Sequence, residues 1–422
     1  MKKVIQPGKR FGTIAIPASK SDAQRSLLAA ALAHGESKIH NIGQSQDEVS
    51  MISSIQKLGA KMDFISTTSA RISGIKTFPT QVELNVGESG LGVRLLTSIC
   101  AAHDGVFTIL GTGSLESRPL TFFSDTLPQF GATFQSNDGF IPLQIEGPLK
   151  GATVELDGSL SSQYISGLLM ALPLVKKDSH LSISTLNSLP YIQMTLSTLG
   201  EFGIEILHQN YKEFIIRGEQ KYMPTNYTIE SDWSSASFWL VASALGMNIQ
   251  LTGLSMTSLQ ADKQIIDAFE AANCILSYKE NKIRMDGRNR TPFQFDATHC
   301  PDLFPALVTF AALCDGRSEI KGVNRLAYKE SNRGFVLQEE FANIGVLIII
   351  DGDIMHIHGK TSIEGGKVDA HHDHRIAMCF GIAALFADEP IEIKGAEAVA
   401  KSYPQFWDDL EELFIDSRFK KS

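Results

Sequence analysis

The sequence predicts an α/β protein made of six copies of one helix-and-strand unit, three in each of two domains. Three observations predict it: helix-like segments that stop at a small residue at regular intervals, a second series of small-residue helices out of phase with the first, and short apolar runs lying among them. The first series ends in Gln56-Lys57-Leu58-Gly59-Ala60, Pro128-Gln129-Phe130-Gly131-Ala132, Gly200-Glu201-Phe202-Gly203-Ile204, Ala271-Ala272-Asn273-Cys274 and Ala342-Asn343-Ile344-Gly345-Val346. Its anchors at 59, 131, 203, 273 and 345 lie 72, 72, 70 and 72 residues apart. That period is too long for a solenoid repeat, so each copy must be a small subdomain. Gly, or Asn at 273, suits the left-handed C-cap of a helix from which the chain leaves as a strand.

The second series covers 19–34, 89–103, 161–175, 234–245, 302–314 and 373–386. These segments begin polar, end apolar, and in four cases close on Gly35, Gly105, Gly246 or Gly316, which fit the same period. Apolar runs at 107–110, 181–183, 213–217, 249–252 and 355–358 read as strands, and their alternation with helices gives the α/β class. The change from third to fourth copy falls near 226–232, read as the hinge, with no Pro-rich or Gly/Ser-rich linker.

Composition narrows the function. Of 422 residues, 38 are basic and 47 acidic, and the resulting net charge of −9 argues against a protein that wraps nucleic acid. A locally basic cleft for small anions remains compatible with it. The run 347–350 reads as a buried strand, no apolar run approaches 18 residues, and the first residues lack the apolar stretch of a signal peptide. The five cysteines, Cys100, Cys274, Cys300, Cys314 and Cys379, have no metal-ligand spacing. They read as reduced core thiols of a soluble cytoplasmic protein.

The polar helix starts carry the unusual residues: Lys20, Ser21 and Arg25; Gly87-Glu88-Ser89-Gly90 with Arg94; Ser161, Ser162 and Gln163; Asp232, Ser234 and Ser235; Asp302; and Asp373, His374 and Arg375. Ordinary N-capping explains the Ser and Asp residues. It does not explain cations in a first turn, which oppose the helix dipole by roughly 0.3–1 kcal/mol each and so point to an anionic ligand.

Five motifs then become recognisable, in order along the chain: Pro17-Ala18-Ser19-Lys20-Ser21 with Arg25; Asp157-Gly158-Ser159-Leu160-Ser161-Ser162-Gln163; Lys329-Glu330-Ser331-Asn332-Arg333; Asp373-His374-Arg375-Ile376-Ala377-Met378; and Ala400-Lys401-Ser402-Tyr403-Pro404. Together they resemble the EPSP synthase family, the 3-phosphoshikimate 1-carboxyvinyltransferases. The resemblance implies a two-domain inside-out α/β barrel with three βαβαββ-type repeats per domain. It places the first domain at 18–229 and the second at 1–17 plus 230–422, with the active site in the cleft between them. It also implies transfer of an enolpyruvyl group from phosphoenolpyruvate to the 5-hydroxyl of shikimate 3-phosphate, in the shikimate pathway, without cofactor or metal. His371-His372-Asp373-His374 could mimic a metal cluster but lies on a matched motif. The expected partners are these two small molecules, with no nucleic acid and no membrane, and the expected state is a monomer.

By the same resemblance Asp302 is the base for the substrate hydroxyl, and Lys20 with Glu330 serves proton transfer at the methylene carbon. Lys20, Gly90, Arg118, Gln163, Arg333, Arg375 and Lys401 form the phosphoenolpyruvate site. Lys20, Ser21, Arg25, Ser161, Ser162, Gln163, Ser188, Tyr191, Asp302 and Lys329 form the shikimate 3-phosphate site. Arginine suits bidentate carboxylate or phosphate binding, and lysine supplies a movable point charge. Taken alone, Tyr191 reads as a packing tyrosine and Asp302 as the N-cap of the helix that follows it.

The chain departs from the family pattern at Glu88 and Leu91, where the family has Asn and Thr, and at Ala327 and Asn332, where it has Arg and Asp. Gln46 and Gln193 also stand where acidic residues are common. Glu88 either repels an anionic donor or turns onto N–H groups of the helix that follows it or pairs with an arginine; if it repels, the herbicide inhibitor glyphosate is expected to bind more weakly. A sister family that uses UDP-N-acetylglucosamine is the nearest rival, but 111–119 holds no cysteine of the kind most of its members carry there. A nucleic-acid-binding relative is disfavoured by the charge, and a non-catalytic paralogue by the retention of Lys20, Asp302, Glu330, Arg375 and Lys401.

Overall fold

The computed structural model describes residues 1–327 and 329–415. Tyr328, which immediately precedes the Lys329–Arg333 motif, lies outside the described residues. The chain separates into two compact units, Ala18–Glu230 and Met1–Pro17 with Ser231–Ser422.

The Ala18–Glu230 unit holds three four-stranded sheets of one design. In the second of them Gln81–Asn85 pairs parallel with Val106–Leu110, which pairs antiparallel with Phe140–Glu146, which in turn pairs with Thr133–Asn137. The third repeats this order with Thr153–Gly158, Ser179–Leu186, Glu213–Ile216 and Ile206–Gln209. Strands alternate in and out, as Phe140–Glu146 does, so each sheet buries one face.

The helices Lys20–Leu32, Gly90–Ala101 and Ser162–Ala171 are buried almost all round, so they lie inside while the sheets lie outside. Their small residues make this possible. A Cβ on Gly167 would sit 2.6 Å from the Arg94 carbonyl oxygen and from Ser98 Oγ, so only glycine lets these two helices approach. The small-residue stops fall where a left-handed cap was expected: φ is +112° at Gly59, +82° at Gly131, +76° at Gly203, +59° at Asn273 and +78° at Gly345.

The other unit also has three sheets. Gln294–Asp296, Gly316–Lys321, Ile354–Gly359 and Leu347–Asp351 follow the same design, and Arg10–Ala15, Asn248–Thr252, Lys282–Asp286 and Ile275–Lys279 follow it with Phe414–Ile415 added at the edge. The sixth copy is shorter than expected. Among the described residues Gly366–Asp369 and Ile391–Lys394 have no hairpin of their own, and Lys2–Ile5 completes their sheet. Prolines also shorten two predicted helices. The 161–175 helix becomes 3-10 at Leu172–Leu174, around Pro173, and 302–314 opens as the 3-10 turn Pro301–Leu303 before Phe304–Ala312.

One feature departs from a simple row of repeats. Arg10–Ala15 leads into the Lys20–Leu32 helix, yet pairs parallel with Asn248–Thr252. Asn226–Thr228 leads into the Trp233–Ala244 helix, yet pairs parallel with Glu36–His40. The first and fourth copies have exchanged their opening strands. Among the described residues no helix is long and apolar enough to cross a membrane.

Candidate active site

In the Ala18–Glu230 unit the polar helix starts form linked pairs. Ser19 caps the first helix, and Lys20 at its first position reaches Asp47 Oδ2 at 3.0 Å. Asp47 is buried in the first turn of Gln46–Lys57, so the acid stands one residue beyond Gln46. Arg25, 1% exposed, donates through Nε to Thr195 Oγ1 at 2.8 Å and through Nη1 to the Ser21 carbonyl at 2.7 Å. Its Nη2 donates at 3.4 Å to Ser166 Oγ and to the Tyr191 carbonyl. Burial pulls Arg25 down to about 10, with Asp22 opposing the fall. Asp22 is itself raised to about 6 by burial, although the Glu230 N–H at 2.9 Å and the Tyr227 hydroxyl at 2.7 Å hold part of its charge.

Gly90 opens the second helix. A Cβ there would lie 2.6 Å from Arg118 Nη1, so the absent side chain is the space the guanidinium occupies. Arg94, one turn on, donates to the Gly90 carbonyl at 2.7 Å and to Gln163 Oε1 at 3.0 Å, and lies 4.6 Å from the centre of the Tyr164 ring. Tyr164 in turn donates to the Pro119 carbonyl at 3.0 Å, which ties the Ser162–Ala171 helix to the segment after Arg118. Ser161 accepts from the Gln163 N–H at 3.3 Å as N-cap, Ser162 is buried beside it, and Ser188 (φ +57°) precedes the helix that carries half-buried Tyr191. Glu88 accepts from Ser114 N–H at 3.0 Å and from Ser114 Oγ at 2.7 Å. It thus turns onto the Gly113–Ser117 turn that leads to Arg118.

The other unit gathers three expected cations around one carboxylate. Asp302 Oδ1 accepts from Arg333 Nη1 at 2.6 Å and Lys329 Nζ at 3.1 Å, and Oδ2 lies 3.5 Å from Arg375 Nη2. It does not cap its helix, whose cap position, Leu303, makes no side-chain bond. Burial works to raise Asp302, but Arg375, Lys329 and Arg333 together hold it well below the usual carboxylate range. Arg333, fully buried, also meets Glu330 Oε2 at 2.5 Å and Asp373 at 2.7 and 3.2 Å. Burial works against its charge, and Asp373, Glu330 and Asp302 more than offset this. Burial likewise lowers Lys329, with Asp302 opposing. Lys401 closes the Ala396–Lys401 turn, buried. Asn332, the N-cap of Arg333–Ala342, makes no capping bond, and Ala327 is exposed.

Asp47 and the partner role of Asp373 were not singled out from the sequence, because an acid at a helix start is already explained as a cap. Asp262 on the Ala261–Gln264 turn had no signal at all. All five cysteines are buried and unpaired. Among the described residues no group of His, Cys, Asp or Glu is placed to hold a metal ion.

Three outer sheets per unit surround inner helices whose starts present cations and carboxylates, an architecture that solved structures share. The enolpyruvyl transferase NikO of Streptomyces tendae shares this fold at a TM-score of 0.79, with 98% of this chain and 97% of that one covered at 16% identity. The family profile described as EPSP synthase (3-phosphoshikimate 1-carboxyvinyltransferase) matches residues 5–410. A 3-phosphoshikimate 1-carboxyvinyltransferase of Clostridium beijerinckii is 38% identical over 422 residues, covering 97% of this chain and 96% of that protein. The EPSP synthase structure from Acinetobacter baumannii matches at a TM-score of 0.81 and 25% identity, with 98% of both chains covered. The chain belongs to the EPSP synthase family.

Proposed function

We propose that this chain transfers the enolpyruvyl group of phosphoenolpyruvate to the 5-hydroxyl of shikimate 3-phosphate, with Asp302 as the base for that hydroxyl. The observation that supports it best is the Asp302 carboxylate ringed by Lys329, Arg333 and Arg375. A carboxylate held this low is ionised at neutral pH. It becomes a stronger base when anionic substrates draw Lys329 and Arg375 toward themselves.

The hydroxyl oxygen bonds to C2 of the donor while Asp302 takes its proton, and the methylene carbon gains a proton from the Lys20–Glu330 pair. The tetrahedral adduct then loses phosphate as the methyl group returns that proton. Arg118, seated in the space Gly90 leaves, clamps the donor with Arg375, Lys401 and Gln163. Arg333 adds its charge from behind while orienting Asp302 and Glu330. Ser21, Arg25, Ser161, Ser162, Ser188, Tyr191 and Lys329 receive shikimate 3-phosphate. The chain works as a cytoplasmic monomer.

The test is phosphate release with shikimate 3-phosphate or UDP-N-acetylglucosamine as acceptor. Only the first is expected to support turnover, and Asp302→Asn is expected to cut kcat by roughly 10²–10⁴-fold while acceptor binding stays within about tenfold. Turnover with the nucleotide sugar, or undiminished turnover in the variant, would refute the reading.

A further inference from the structure

We infer that Asp262 is a positioning residue for this reaction, fixing Arg375 through the hydroxyl of Ser234. The inference rests on the proposed role of Arg375 as a donor-binding cation. Ser234 Oγ donates to Asp262 Oδ2, and Arg375 Nη1 donates to the same Ser234 Oγ. A serine hydroxyl has one proton, so giving it to Asp262 leaves the Oγ lone pairs facing Arg375. A carboxylate at 262 therefore sets the direction of both bonds. The other arm of Arg375 points to Asp302 Oδ2 at 3.5 Å.

The bridge is held from both sides. Asp232 accepts from the Ser234 N–H and from Ser235 Oγ, each at 2.9 Å, which fixes the start of the Trp233–Ala244 helix. Gln260 accepts from the Trp233 N–H at 3.0 Å and donates to the Ser231 carbonyl at 2.8 Å, which docks the Asp262 turn on that same start.

A carboxylate kept only for packing would have both oxygens satisfied. Here Asp262 is 2% exposed and its Oδ1 has no hydrogen-bond partner among the described residues. The groups that face it are Arg375 on the His374–Ala384 helix, Asp302 on the Pro301–Leu303 turn with the Cys300 thiol just before it, and Ser234 and Asp232 at the start of Trp233–Ala244. Burial raises Asp262 to about 7, with Arg375 opposing and Asp302 and Asp232 adding to the rise. Once protonated, its O–H competes with Arg375 for the Ser234 oxygen, so the bridge weakens as pH falls through neutrality.

The test is steady-state kinetics of the full chain for wild type, Asp262→Asn, Ser234→Ala and the double variant between pH 6 and 8. Asp262→Asn is expected to raise the phosphoenolpyruvate KM at pH 8 by about tenfold, as for one lost charge-assisted hydrogen bond, and to change the shikimate 3-phosphate KM by less than about threefold. The wild-type worsening of donor KM toward pH 6 should shrink in the variant. The double variant should cost no more than Ser234→Ala alone, because both act on one bridge. Additive costs, an unshifted pH profile, or an unchanged donor KM in Ser234→Ala overturn the inference, and the last serves even where Asp262→Asn does not fold. Arg375→Met separates the two readings. An unchanged donor KM there sinks the role of Arg375, whereas a raised one beside a normal Asp262→Asn overturns Asp262 alone.

Discussion

Arg333→Met replaces the hub of the carboxylate web with an apolar side chain of similar length. The wild-type guanidinium is fully buried and meets Asp302 at 2.6 Å, Glu330 at 2.5 Å and Asp373 at 2.7 Å. Asp373 has no exposed side-chain surface, so the variant leaves it without this cation in a site water does not reach. Removing one partner of a buried ion pair costs roughly 3–5 kcal/mol. For a unit of roughly 200 residues, where 1 kcal/mol is worth about 2–4 °C, the melting midpoint should fall by about 6–20 °C at pH 8. The pH dependence carries the sharper signature. In the wild type Asp302 is held low, so its contribution is present above the ordinary carboxylate range and is lost only in acid. Without Arg333 the carboxylates are pushed up, the folded state binds protons more readily than the unfolded chain, and stability rises as pH falls from 8 to 5. Differential scanning calorimetry across that range tests this. Arg333→Lys should recover only part of the loss, because one ammonium group cannot span three carboxylates. A midpoint within 2 °C of wild type, or a deficit that does not shrink on acidification, would refute the argument.

Lys20→Met should raise the donor KM and lower kcat together, since it removes a ligand charge and a proton carrier and leaves Asp47 buried without its 3.0 Å partner; an unchanged donor KM would contradict the dual role. Gly90→Ala should leave the fold intact, because the added Cβ meets the far end of Arg118 and not backbone, yet raise the donor KM with little change for the acceptor; equal KM values would show that Arg118 does not bind the donor. Glu88→Gln should change the donor KM and the glyphosate inhibition constant by less than about threefold, because the carboxylate is already turned onto the N–H and hydroxyl of Ser114. Were it facing the donor, relief of a repulsion of roughly 1–4 kcal/mol would lower that KM at least fivefold.

The repeat was legible because its punctuation is chemically constrained. A left-handed cap accepts Gly or Asn and little else, so Gly59, Gly131, Gly203, Asn273 and Gly345 mark the copies in the sequence as they do in space. The strand exchange was not legible, since nothing in Arg10–Ala15 or Asn226–Thr228 distinguishes a neighbour in its own copy from one in another. In the candidate site Lys20 and Arg375 were visible because they stand where the helix dipole disfavours them, whereas Arg118, Lys329, Arg333 and Lys401 emerged only through the family motifs. Asp47 and the partner role of Asp373 were hidden, because an acid at a helix start needs no further explanation, and Asp262 carried no signal. Glu88 was left between two readings by the sequence, and its contact with a serine 26 residues further on was not legible there.

The exchanged strands impose a timetable on synthesis. As the chain emerges from its N-terminus, 18–230 arrives as one uninterrupted stretch and can complete its three sheets as soon as Asn226–Thr228 appears. Arg10–Ala15 is made before all of it, but its partner Asn248–Thr252 follows more than 200 residues later. At roughly 5–20 residues per second the early strand waits about 10–50 s with its hydrogen-bonding edge unmatched. Lys9 and Arg10 at its start and Gly12 within it suit that delay, because charge and a weak strand former discourage pairing with a neighbouring nascent chain. The same order gives chaperones a defined client, a finished first unit trailing an unpaired leader.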